Sequence, residues 1–155
     1  MSQVYRAKYK GKKVAVKVRH PGVDQYIQRD INLLFFFSRV LSVFSKAFNL
    51  PVSETSMKKT LMDQIDFNNE RDNLLIFNEM FKGNKMVKFP APFTEDTTES
   101  VLVESFVEGV PITYFEANPH PLNSVIARLG ATTFFEMLMK NNFIHADCHG
   151  GNILV

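Results

Sequence analysis

Phe143-Ile-His-Ala-Asp-Cys-His-Gly-Gly-Asn-Ile-Leu-Val155 is the stretch whose reading decides the fold. Asp147 stands five residues before Asn152, His145 stands two before that Asp, and Gly150 and Gly151 lie between the acid and the amide. An apolar β-type segment follows at once. Phosphoryl transfer needs a loop of this kind: an Asp to accept or orient the proton of an attacking hydroxyl, an Asn to hold a metal ion on the nucleotide phosphates, and a His to brace the loop from beneath. Asp147, Asn152 and His145 are the candidates for those roles. The rest of the chain is then asked whether it supplies the other half of a nucleotide site.

The bulk numbers set bounds. The chain has 155 residues, of which 45% are hydrophobic and 22% charged, an ordinary balance for a globular domain. A complete two-lobed kinase-type fold normally needs more chain. Net charge of +2 gives no argument for nucleic acid as a partner. Seven basic residues, Arg6 to Arg19, precede the first acid. One cysteine, Cys148, excludes an internal disulfide and fits a reducing compartment. The longest uninterrupted apolar run, Leu33–Phe37, is far shorter than a membrane span.

Val4–Val18 reads as a hairpin, with strands over Val4–Tyr9 and Val14–Val18 and a turn at Lys10–Lys13 containing Gly11. Alternation puts Val14, Val16 and Val18 on one face and Ala15 and Lys17 on the other. Two readings of Lys17 stay open. It reaches nucleotide phosphates, as the Lys of a Val-Ala-Ile-Lys strand does, or it is a solvated Lys on the wet face of an edge hairpin.

His20-Pro21-Gly22 breaks the strand, and Asp24 is the expected cap of a helix over Gln25–Phe48. Its stripe is Tyr26, Ile27, Ile31, Leu34, Phe35, Leu41, Phe44 and Phe48, and Leu33, Phe36, Phe37 and Val40 make its middle apolar almost all round. Such a helix is buried between layers, or it meets a partner or a membrane surface. A second helix is expected from Met57 to Lys82, capped by Ser53 or Ser56 and stopped by Gly83-Asn84. Of its acids Asp66, Glu70 and Asp72, Glu70 is the candidate to pair with Lys17; the alternative is that all three are solvated.

Lys85–Phe93 carries Pro90 and Pro92 and reads as an edge strand or loop. Val101–Val107 is a strong strand, and Glu104, Ser105, Phe106 and Val107 form the region where backbone groups would bind a nucleobase. Thr113–Pro121 reads as a linker. Leu122–Asn141 reads as a helix in which Gly130 would permit close packing.

Together these segments resemble a known family. Val14-Ala-Val-Lys-Val-Arg-His-Pro-Gly-Val23, Gln64-Ile-Asp-Phe-Asn-Asn-Glu70 with Asn73, Val101-Leu-Val-Glu-Ser-Phe-Val-Glu-Gly109 and His145-Ala-Asp-Cys-His-Gly-Gly-Asn152 are similar, in order and spacing, to the UbiB/aarF-domain atypical kinase-like family. The details look most like its mitochondrial "aarF-domain-containing kinase 2" branch. Aminoglycoside and choline phosphotransferases share the loop, but not Lys17-x-x-His-Pro-Gly22. The resemblance implies a protein-kinase-like α+β fold, ATP and magnesium as cofactors, and a role in coenzyme Q (ubiquinone) biosynthesis or lipid homeostasis, with a mitochondrial location. It makes Lys17 the strand lysine, Glu70 its partner, Asp147 the catalytic-loop acid and Asn152 a metal ligand. Residues 1–109 would be an N-lobe-like part, an antiparallel sheet with inserted helices. Residues 110–155 would be the start of a helical C-lobe.

Departures from the family shape further expectations. The phosphate-covering loop and the Lys-x-Gly-Gln extension would precede Met1, and the Asp-Phe-Gly segment would follow Val155, so the chain resembles a truncated kinase-like fold. Gln64 stands where most of the family has an acid, and Gly150 where Pro is usual. Weak or no catalysis is expected of these residues alone. The main rival is a non-catalytic module binding nucleotide, a lipid or quinone-related small molecule, or a membrane surface through the Phe-rich helix. A zinc site at His145, Asp147, Cys148 and His149 lacks a second ligand pair, and Cys148 has no identified base.

Overall fold

A computed structural model describes residues 2–45, 50–145 and 148–155. Strands β1 (Ser2–Tyr9), β2 (Lys12–Arg19) and β3 (Val101–Ser105) form one antiparallel sheet in the order β1-β2-β3. Helices α1 (Val23–Ser42), α2 (Glu54–Ile65) and α3 (Phe67–Met80) separate β2 from β3, and α4 (Ile112–Ala117) and α5 (Asn123–Phe135) follow it. The class is α+β, as the sequence suggests. The chain divides into two compact units, one comprising residues up to Leu75 with Ala91–Ser105, the other Ile76–Pro90 with Phe106–Val155.

In the first unit the hairpin is longer and tighter than alternation indicates. Lys10 and Gly11 both take positive φ, 47° and 79°, and Lys12 already pairs with Tyr9. This is a two-residue connection whose backbone matches strand twist. β2 is the central strand, so the edge-hairpin reading of Lys17 fails. Both faces of β2 and β3 are covered: Val14 and Leu102 are fully buried, and Ala15 and Val103 nearly so. The outer edge of β3 is met by the Ala91–Phe93 backbone, through Phe93 N–H to Val103 O at 2.8 Å and Ser105 N–H to Ala91 O at 2.9 Å.

Helix α1 starts at Val23, not after an Asp24 cap. Gly22 is its N-cap at φ 76°, a conformation Gly adopts without penalty. Val23, Ile27, Ile31 and Phe35 bury against Ile65, Leu61, Met62 and Met57 of α2. Regular helix stops at Ser42, whose hydroxyl donates to Arg39 O at 2.8 Å. The expected extension fails at Val43–Ser45, where a turn is closed by Phe44 N–H to Leu41 O at 2.9 Å, and its remainder to Phe48 lies outside the described residues. Tyr26, Leu34, Leu41 and Phe44 belong to the predicted stripe but are exposed, as are Leu33, Phe36, Phe37 and Val40. The buried face is therefore narrower than the apolar pattern.

The single helix expected over Met57–Lys82 is two. Ser53 caps α2, its hydroxyl accepting from Ser56 N–H at 3.1 Å. Asp66 interrupts the helix with ψ 111°, and its carboxylate accepts from Asn68 N–H at 2.9 Å. Short Asp and Asn side chains compete in this way with the helical ladder.

The second unit packs Phe77 and Phe81 of α3 with Met137, Val87, Phe89 and Phe143. Phe77 stacks on Phe89 at 4.8 Å and lies 5.0 Å from Phe143. Gly83, at φ 81°, ends this segment. Part of the expected linker is helix α4, for which Pro111 at φ −54° is already set. The predicted final helix ends in a π turn, Glu136–Lys140, closed by Asn141 N–H to Glu136 O. A Cβ on Gly130 would meet nothing within 4 Å, so no close packing explains that glycine. The predicted β-type tail does pair, with Val110 and Val155 exchanging hydrogen bonds at 2.9 Å.

Candidate functional site

In the first unit, strand alternation turns Lys17 toward the helix side of the sheet, and the break at Asp66 puts Glu70 in the first turn of α3. The two meet there. Lys17 Nζ donates to both Glu70 carboxylate oxygens at 2.9 Å, and the Phe67 ring centre lies 5.2 Å from the same ammonium. Both side chains are half-buried, which keeps the ammonium in place while leaving one side of it open to a ligand. The three acids of this region have separate fates: Asp66 caps α3, Glu70 holds Lys17, and Asp72 binds Arg71 Nε at 2.8 Å.

Two further residues shape this part, and sequence reasoning missed both roles. Arg19 donates to Ile65 O at 3.1 Å and lies 3.6 Å from Glu99, tying the end of β2 to the end of α2. Arg19 and Lys17 line a cleft of about 160 Å³ whose other walls include Gln64 and the apolar Ile27, Leu61 and Ile65. The second is the side chain of Glu104. The register Ala15–Glu104 and Lys17–Leu102 sets all four residues on one face of the sheet. Burial pushes the Glu104 carboxyl up to about 7; the charge of Glu70 adds to the rise and Lys17 opposes it. Alternation along Val101–Ser105 could have placed Glu104 opposite the Val101 and Val103 face, but not beside Lys17.

The remaining nucleobase-region residues differ in availability. Ser105 uses its N–H on Ala91 O and accepts from Ala91 N–H at 2.8 Å through its hydroxyl. Phe106 and Val107 are partly buried and follow the end of β3, two residues earlier than the predicted strand end.

In the second unit, the His145 ring lies 5.5 Å from the Phe77 ring, tilted by 38°. Asp147 lies outside the described residues. Cys148 is exposed. His149 accepts from Gly151 N–H at 3.1 Å through Nδ1, and Asn152 N–H donates to His149 O at 2.9 Å, a turn that presents the Asn152 side chain at the surface. Among the described residues no cluster of three or more His, Cys, Asp or Glu exists to hold a metal. The donor chemistry still fits magnesium, which is bound by one or two protein oxygens and completed by phosphates and water. Asn152 offers one such neutral oxygen.

The family model described as ABC1 atypical kinase-like domain matches residues 1–155. An ABC1 family protein, mitochondrial, of Schizosaccharomyces pombe is 37% identical over 92% of this chain and 21% of its own length. A probable protein kinase UbiB of Aeromonas hydrophila is 29% identical over the whole chain and 30% of its own length. The chain thus spans less than a third of either relative. A Mycobacterium tuberculosis protein solved in complex with erythromycin superposes with a TM-score of 0.85, at 22% identity, over 99% of this chain and 39% of that one. That likeness establishes the fold alone, and the fold is kinase-like.

Proposed function

Because the chain belongs to the ABC1 atypical kinase-like family, we propose that it binds ATP with magnesium and serves phosphoryl transfer or ATP hydrolysis. The observation that carries this reading is the Lys17–Glu70 pair, a lysine on a central strand held at 2.9 Å by a helix carboxylate. Lys17 neutralises and orients phosphate oxygens, and Glu70 keeps its ammonium from collapsing elsewhere. Asp147 orients the attacking hydroxyl or water. His145 braces the loop, and Asn152 shares the metal with the nucleotide. Magnesium, when bound, offsets charge on the phosphates.

The names of the relatives support a finer proposal, a mitochondrial member of the family serving ubiquinone biosynthesis. The aarF-domain-containing kinase 2 branch and a role in lipid homeostasis rest on the resemblance of the sequence motifs alone. The apolar walls of the cleft beside Lys17 support a small molecule with an apolar part, such as a lipid or quinone relative, as the other ligand. ATP turnover by the full-length protein tests the reading, with Lys17→Ala and Asp147→Ala as controls. Both substitutions are expected to abolish turnover; equal turnover in all three proteins would sink the idea.

One observation favours a second reading, a non-catalytic module that docks through α1. Phe36 and Phe37 on α1 are 58% and 51% exposed, and Phe44, in the turn that follows it, 81%. Among the described residues no helix is long and apolar enough to cross a membrane, so such docking would be peripheral. Vesicle flotation that is unchanged by Phe36→Glu would remove this reading.

A further inference from the structure

The Glu104 side chain shares the Lys17 face of the sheet, and neither the ion pair nor the turns account for it. Ala15 stands directly across from it, and Lys17 stands one residue pair further along. Two residues of strand cover about 6.8 Å. A nucleotide whose phosphates reach Lys17 therefore brings its base toward Ala15 and Glu104. Ala15 is 8% exposed and ends at Cβ, so it offers a flat floor to a planar ring.

Lys17 from β2 and Glu70 from α3 act on the Glu104 carboxyl, and Arg6 of β1 stands in the same row of the sheet, across Ala15 from it. The Lys17 ammonium already donates to both oxygens of Glu70. Among the described residues no side chain or backbone N–H is placed to donate to Glu104. A partly buried acceptor without a donor has room to take one from a ligand.

We propose that Glu104 selects the base: its carboxyl accepts a hydrogen bond from the 6-amino group of adenine and rejects a 6-oxo purine. The proposal rests on the nucleotide reading above and adds a side chain to it. A 6-oxo group would set two acceptors against each other and leave both unpaired in a buried site, which is the kind of mismatch that discriminates strongly. A protonated carboxyl donates as well as accepts. Since burial holds this carboxyl near 7, the discrimination weakens as the pH falls.

Calorimetric titration of the full chain with ATP and with inosine triphosphate, in magnesium, tests this directly, because the two nucleotides differ at the 6 position. At about pH 8 the unmodified protein should prefer ATP by on the order of tenfold or more, and the preference should shrink at about pH 6. Glu104→Gln, whose amide both donates and accepts, should bind the two within about threefold at either pH. Lys17→Met should weaken both nucleotides without changing their ratio. Equal affinities at the higher pH, a preference that ignores pH, or a preference retained in Glu104→Gln would each overturn the proposal while leaving the nucleotide reading intact. Failure of the unmodified protein to bind either nucleotide would overturn both.

Discussion

Glu104→Gln should make the protein more stable at alkaline pH and leave it little changed in acid. The carboxyl of Glu104 is pushed from an ordinary 4.5 to about 7, by burial first and by Glu70 second. The sign follows from which state holds the proton. Below about pH 4.5 the group is protonated folded and unfolded, and it costs nothing. Between 4.5 and 7 the unfolded chain releases the proton while the folded chain keeps it, so stability falls as the pH rises. Above 7 the whole penalty is present. At about 1.4 kcal/mol per pH unit the ceiling is about 3 kcal/mol, and partial solvent access around the carboxyl brings the expectation to about 1–3 kcal/mol. Glutamine keeps the shape and removes the charge, and the Lys17–Glu70 pair faces the side chain in both proteins. The chain has no tryptophan, so urea unfolding is best followed by far-ultraviolet circular dichroism. The stability difference between variant and parent should grow by about 1–3 kcal/mol from about pH 5 to about pH 8. A difference constant to within about 0.5 kcal/mol across that range would refute the reasoning, since the carboxyl would then ionise as an exposed one does.

Phe77→Ala should cost about 3–5 kcal/mol in urea unfolding, because Phe77 is 2% exposed and its ring packs on Phe89 and Phe143. A loss below about 1 kcal/mol would contradict the packing described for the second unit. The glycines of that unit should part ways. Gly130→Ala, with open space around the new Cβ in α5, should stabilise by about 1 kcal/mol. Gly109→Ala would place its Cβ 2.8 Å from Leu154 Cβ and 3.1 Å from Val155 O. It should accelerate hydrogen exchange at Val155 and Ile112, whose N–H groups close the pairing of Val110–Ile112 with Ile153–Val155. Unchanged exchange there would show that the tail does not depend on that close approach.

What the sequence disclosed follows the range over which each cause acts. Alternation in Val14–Val18 is local, and it correctly divided Lys17 from the valines. The cap at Ser53 was local too and was among the residues proposed. Asp66 was equally local, since an Asp followed by Asn68 and Asn69 is a capping pattern. It was overridden because the apolar spacing of Leu61, Ile65 and Leu74 continues through the break and suggests one helix. Periodicity failed differently in α1. It identifies which side chains are apolar, not which are covered, and Val23, Ile27, Ile31 and Phe35 bury while Phe36 and Phe37 do not. Glu104 marks the limit most clearly. Its partly buried place beside Lys17 depends on β2 pairing with β3 across three intervening helices, and no local window spans that distance. The same non-local pairing makes β2 central rather than an edge, which removes the edge-hairpin reading of Lys17. One long-range register thus gives both the lysine and the glutamate a common face, and it couples the chemistry proposed for the phosphates to that proposed for the base.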